Sequence, residues 1–317
     1  MRSLTVMGIA AAVFTATATA QMRPSMQHDY ATVNGVKLHY VRSGAGELVL
    51  FMHGFPEFWY AWKDQLTDLG RNYLAVAPDL RGFGQSEKPV AVEDYRAANV
   101  IEDIRALAAR LNGGKPFVLV GHDWGGAIAW GFAMKYPELL SRLIIINAPH
   151  PIVFARELRE NRAQQQASGY MLFFRSSQAE ATLSANDYAP LIGFFGGLKA
   201  KGKFSADDET AYREAYRRPG ALTGGLNYYR ASRIGPPSPG TQDTLVAGTP
   251  LGDFSVKVPT LVIWGEKDEA LLTGNLIGLD AFVPDLTIHR IPEGTHWVVH
   301  EFPDQISKLI REFMTRH

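Results

Sequence analysis

The sequence predicts an α/β fold: a mostly parallel sheet flanked by helices, with a helical lid inserted between two of its strands. Three observations carry that expectation. Short apolar runs recur along the chain, each closed by glycine, proline or a polar residue, as strands buried on both faces do. Segments of helical period lie between them, the alternation that a parallel sheet requires. From about 150 to 245 the rhythm breaks, and helical stretches with six tyrosines replace it.

The first twenty residues are expected to be a secretory signal peptide. Arg2 precedes the uncharged "SLTVMGIAAAVFTATATA", which ends in Ala18-Thr19-Ala20, a small-x-small cleavage site. The stretch turns to Thr and Ala too soon to give a membrane span of about 20 strongly apolar residues. Export to the periplasm or the medium follows, with maturation near Gln21. The chain has no cysteine, which excludes a disulfide framework and a lipid on Cys. Lys plus Arg and Asp plus Glu both number 32, and no basic stripe stands out, so nucleic acid is not an expected partner.

The elements follow in order. "HDYATVNGVKLHYVRSG" reads as a hairpin turning at Asn34-Gly35. "ELVLFMHG", "YLAVAPDL", "PFVLVGH", "RLIIINAP", "PTLVIWGE" and "LTIHRIP" read as buried strands. In "AANVIEDIRALAARLNGG", Val100, Ile101, Ile104, Leu107 and Leu111 share one helical face, and glycines end the helix. The core is therefore expected over 21–149 and 246–317, with 150–245 as a lid over the carboxyl ends of the strands, where open α/β sheets place their sites. The most loop-like piece is "GPPSPGTQDTLVAGTPLGD" at 235–253.

The chemistry gathers on four loops. "GHDWGG" at 121–126 has the frame of a nucleophile elbow, G-x-S-x-G, but with Asp123 at its centre. The bland alternative is an aspartate capping the following helix. The triad order for such an architecture is nucleophile, acid, histidine. Asp268 follows "PTLVIWGE" and His296 follows "LTIHRIP", both at loops that sheet topology brings beside Asp123. "HGFPE" at 53–57 takes the place of the oxyanion-hole loop, making the Phe55 and Trp124 amides the expected oxyanion donors. Pro56 is a candidate for a cis bond.

"HGFPEFWYAW", "DLRGFGQSEKP", "GHDWGGAIAW", "WGEKD" and "GTHWVVHEFP" together resemble the α/β-hydrolase superfamily and, within it, the epoxide hydrolases of a secreted bacterial type. That resemblance implies two lid tyrosines that hold the epoxide oxygen. "YMLFF" and "NYYR" match the family's segments and point to Tyr170 and Tyr229, with Tyr228 in the family's Trp position. Neighbouring helical residues project about 100° apart, so one of 228 and 229 should line the site while the other packs. The implied reaction opens an epoxide to a vicinal diol. Asp123 forms an alkyl-enzyme ester, and a water activated by His296, itself oriented by Asp268, hydrolyses it. The phenols, with a solution pKa near 10, assist the first step. The expected partners are a small apolar epoxide and water, with no cofactor and no metal.

A haloalkane or haloacid dehalogenase also uses an elbow aspartate. Its halide donors are typically the Trp after the nucleophile and a second Trp or Asn. Trp124 is present, but all six tryptophans lie outside the lid and Phe55 fills the usual Asn position. A serine esterase would need Ser at 123. The alternative from another class is a secreted effector that keeps the fold. The bacterial branch it resembles carries its acid after the earlier strand and pairs a lid His with a Tyr; here Asn147 and Tyr170 stand at those places.

Overall fold

The structure is a computed structural model that describes residues 25–232, 234–236 and 254–316. The expected signal peptide and most of the 235–253 loop lie outside the described residues. An eight-stranded sheet forms the centre, in the order β1-β2-β4-β3-β5-β6-β7-β8. β1 (Gln27–Val33) and β2 (Val36–Ser43) form an antiparallel hairpin. Its turn residues Asn34 and Gly35 sit at φ 50° and 79°. Two successive left-handed residues twist a two-residue loop to match its strands, which is why Asn-Gly marks the turn.

The six apolar runs become β3 (Leu48–Met52), β4 (Leu74–Pro78), β5 (Phe117–His122), β6 (Leu140–Ile146), β7 (Thr260–Gly265) and β8 (Leu286–Ile291). These six pair in parallel, while β2 joins β4 in the antiparallel sense. Helices α1 (Lys63–Leu69), α2 (Ala97–Asn112) and α3 (Trp124–Lys135) connect the first strands. Gly113, at φ 69°, ends α2 in the left-handed conformation that glycine adopts at least cost. One sheet face packs on α2 and α3 through Ile104, Leu107, Ile128 and Phe132. The other packs on α1 through Leu66 and Leu69.

Between β6 and β7 the chain leaves the sheet. It forms α4 (Pro151–Glu160), α5 (Arg162–Ala167), α6 (Tyr170–Arg175), α7 (Ala179–Ile192), α8 (Gly196–Ala200), α9 (Ala206–Arg217) and α10 (Ala221–Ala231). α7 is broken at Ala185–Tyr188, where Asn186, Asp187 and Tyr188 are left-handed. This insertion is fastened to the core at specific points. Gly224 packs so closely on Gly82 that a Cβ would fall 2.5 Å from the Gly82 carbonyl. The Tyr228 hydroxyl donates to the Arg81 carbonyl at 3.0 Å, and Lys63 pairs with Asp208. After β8, α11 (Val298–Glu301) and α12 (Pro303–Arg316) close the chain, α12 packing Ile306 and Ile310 beside α1. Among the described residues, no helix is long and apolar enough to cross a membrane.

Candidate active site

The carboxyl ends of β3, β5, β6, β7 and β8 lie side by side, so their loops converge. Asp123 follows β5 at φ 51°, ψ −121° and opens α3. Such a backbone costs on the order of 1–3 kcal/mol for a non-glycine residue and persists only where its surroundings enforce it. Glycine is required on both sides of it. A Cβ on Gly121 would come 2.5 Å from the Gly125 carbonyl, and one on Gly125 would come 2.2 Å from that of Met52. The Asp123 side chain makes no capping hydrogen bond to α3, which disposes of the helix-cap alternative. Its Oδ1 instead accepts the Phe55 N–H at 2.8 Å, from the "HGFPE" loop after β3. The Phe55–Pro56 bond in that loop is cis. Trp124 supplies the first of the α3 amides that have no acceptor within the helix.

His296, in the loop after β8, places Nδ1 2.8 Å from Asp268 Oδ2 and Nε2 3.8 Å from Asp123 Oδ2. Asp268 is fully packed. Its Oδ1 accepts the amides of Ala270 and Leu271, both at 2.9 Å, and its Oδ2 also accepts Asn147 Nδ2 at 2.7 Å. Burial alone would raise its pKa, but the charge and hydrogen bond of His296, with those donors, hold it below the usual carboxylate value. His296 is shifted the other way. Burial opposes its charge, yet Asp268, then Asp123 and Glu57, lift its pKa to about 9.

Behind His296 stands a second network that the sequence did not reveal. Glu57 is buried and takes His122 Nδ1 at 2.9 Å and His300 Nε2 at 2.7 Å. His122 Nε2 lies 2.9 Å from the backbone carbonyl of His296. A carbonyl only accepts, so Nε2 carries a proton, and His122 and Glu57 share one more. Burial pushes the Glu57 carboxyl up, but His122 and then His300 bring it well below the usual range. Glu57 is thereby held as a carboxylate against the two imidazoles, and His122 pins the main chain of His296.

Tyr170 begins α6 and Tyr229 lies on α10, with ring centroids 6.1 Å apart. Tyr229 stands edge-on to Trp124 at 5.0 Å and to Phe55 at 5.6 Å. Tyr228 turns away, packing on Phe83 and Tyr95. Both site phenols titrate well above 10, mainly through burial and then through the Asp123 charge. They stay protonated as donors, and are weaker acids in the resting site than free phenols. Two cavities open here, of about 270 Å³ and 180 Å³. Asp123, Tyr170 and Tyr229 line both; His296 lines only the smaller. The larger is walled by Ile128, Met134, Phe154 and Met171, and the smaller by Phe55, Phe174 and Phe194.

A parallel sheet with an elbow after its middle strand, and an acid and a histidine on later loops, defines an α/β-hydrolase. The chain belongs to that family: its residues 47–303 match the family model described as alpha/beta hydrolase fold, and it is a hydrolase. It is 36% identical over 300 residues to mouse (Mus musculus) "Epoxide hydrolase 4", covering 90% of this chain and 79% of that protein. It is also 36% identical over 289 residues to the Bacillus subtilis (strain 168) "AB hydrolase superfamily protein YfhM", covering 90% and 96%. Among solved structures, a Bacillus megaterium epoxide hydrolase in complex with an inhibitor superposes with a TM-score of 0.85 at 36% identity, covering 90% of this chain and all of that one.

Proposed function

We propose that the chain is an epoxide hydrolase, working through an alkyl ester on Asp123. Relatives named as epoxide hydrolases at 36% identity support the activity in general. The observation that carries the mechanism is that the Asp123 carboxylate and two protonated phenols line the same pair of cavities. Asp123 Oδ1 is engaged by the Phe55 amide, which leaves Oδ2 as the attacking atom. Its electron pair forms a bond to one epoxide carbon as the carbon–oxygen bond breaks, and a phenol of Tyr170 or Tyr229 gives the alkoxide its proton. The product is a hydroxyalkyl ester whose acyl carbon is Cγ of Asp123.

His296 then takes a proton from water, and the hydroxide adds to Cγ. The tetrahedral oxyanion is held by the Phe55 amide, with the Trp124 amide as second donor. Collapse expels the second diol oxygen, which regains its proton from His296. One water-derived oxygen remains on Asp123, and the proton that its carboxyl sheds in returning to a carboxylate restores the phenol that gave one in the first step. The apolar walls of the larger cavity suit an apolar substituent on the epoxide.

A single turnover in isotopically heavy water tests this: the label should enter Asp123, and a first-turnover diol carrying all of it would mean that water attacks the epoxide directly. Export through residues 1–20 belongs to the same reading and is checked by the mature N terminus, expected at Gln21.

A further inference from the structure

We propose that Arg175 is the positioning residue that sets the two lid phenols, by capping from another helix the C-terminus of the one that carries Tyr229. The inference rests on the covalent mechanism above. The last carbonyls of any α-helix accept no hydrogen bond within it and need outside donors. α10 ends on Ser232 in an extended conformation, φ −77° and ψ 137°, without a glycine cap. Arg175 supplies the donors instead. Its Nε donates to the Tyr229 carbonyl at 2.9 Å. Its Nη2 donates to the carbonyls of Ile234 at 2.7 Å and Ser232 at 3.4 Å. A planar guanidinium can hold several carbonyls at once, and a cation is favoured at a helix C-terminus.

The placement ties the site together. Arg175 ends α6, the short helix that Tyr170 begins, and grips the main chain of Tyr229 itself. One side chain therefore fixes the spacing of the two phenols. Ser232 and Ile234 line the larger cavity, so the same contacts also hold part of its wall. Among the described residues Arg175 has no carboxylate partner. Arg230, on α10, is by contrast paired with Glu180. Burial pulls the Arg175 pKa below the ordinary guanidinium value, so the carbonyls of Tyr229, Ser232 and Ile234 are what stabilise its charge.

Gly235 supplies an independent handle, because a Cβ there would lie 2.5 Å from Arg175 Nη2. Gly235→Ala should therefore displace the flexible guanidinium without altering a cavity-lining residue. The experiment follows adduct formation by rapid-quench intact mass with phenyl glycidyl ether, in His296→Gln protein so that the ester accumulates. Arg175→Met and Gly235→Ala should each slow alkylation about 10- to 100-fold, the scale for misplaced catalytic groups. In proteins that retain His296, the ester should decay at the parental rate. Arg175→Lys should recover part of the alkylation rate, and added guanidinium ion should recover part in Arg175→Ala. Alkylation at the parental rate in Arg175→Met, or equal slowing of both steps, would overturn the proposal. An His296→Gln parent that forms no adduct at all would overturn the covalent mechanism, and this inference with it.

Discussion

His296 Nε2 and Asp123 Oδ2 stand 3.8 Å apart, beyond hydrogen-bond reach but close enough for the carboxylate to bias the imidazole. With His296 at about 9, the resting ring is an imidazolium near neutrality and cannot accept a proton from water. In the proposed mechanism alkylation turns Asp123 into a neutral ester and removes one of the lesser charges that raise that pKa. Attack by Asp123 therefore shifts the ring toward the neutral form that the second step needs, although Asp268 remains the largest influence raising that pKa.

A first prediction follows with a definite sign. Asp123→Ala, which removes the same charge, should lower the His296 pKa from about 9, as read by NMR titration of the ring. In the wild-type chain, ester hydrolysis should rise with pH along a limb whose midpoint lies below that value. A ring pKa unchanged in Asp123→Ala would sink the account.

A second prediction separates the two steps. His296→Gln should still be alkylated but should not hydrolyse the ester, so the intact mass should rise by one substrate. Asp268→Asn should cripple the same step, since Asp268 fixes the ring by the 2.8 Å bond to Nδ1. Asn147 donates to Asp268 and accepts the Gly265 amide, so Asn147→Ala should weaken hydrolysis less than Asp268→Asn. The reverse ranking would mean that the acid has been misassigned.

Much of this was legible in the primary sequence, and the reasons are physical. Strands such as "RLIIINAP" are buried on both faces, so they read as unbroken apolar runs. The elbow was legible because its backbone tolerates only glycine on either side of Asp123. Asp268 and His296 follow strands whose ends must meet in a parallel sheet. Tyr170 and Tyr229 were different: six tyrosines crowd the lid, and only family resemblance picked out two. Glu57, His122 and His300 were illegible, since they meet across 65 and 243 residues without any periodic signal. Arg175 was equally silent, because its partners are backbone carbonyls.

A third prediction concerns that buried network. Removing Glu57 leaves two largely buried imidazoles without their partner, at about 1–3 kcal/mol for each unsatisfied group, about 2–6 kcal/mol in all. Glu57→Ala should lower the unfolding free energy by about that much at pH 7, shown by the urea midpoint. Glu57 titrates below its ordinary 4.5, so its stabilisation is complete above that value and is lost as pH falls through the depressed one. The gap between wild type and variant should therefore narrow in acid. A loss smaller than about 1 kcal/mol at pH 7 would mean that the network contributes little.

The last prediction decides between an epoxide and a halide as the group displaced. A ring-opened epoxide leaves an alkoxide, which needs a proton or strong donors, whereas a departing halide is a weak base and needs no proton. Tyr170 and Tyr229 line both cavities beside Asp123, and burial keeps both protonated. As Asp123 becomes an ester, the charge that opposes their ionisation disappears, so proton donation grows easier as the alkoxide forms. Changing one phenol to Phe should slow alkylation of Asp123 about 10²-fold or more, the range for one general-acid or oxyanion donor. Changing both should stop epoxide opening almost entirely, while an ester already formed is still hydrolysed by His296. Assayed together on epoxides and haloalkanes, the wild-type chain should turn over epoxides alone, and the double variant neither. Halide release that survives the double change would instead move the chain to the dehalogenases, with Trp124 as its main halide donor.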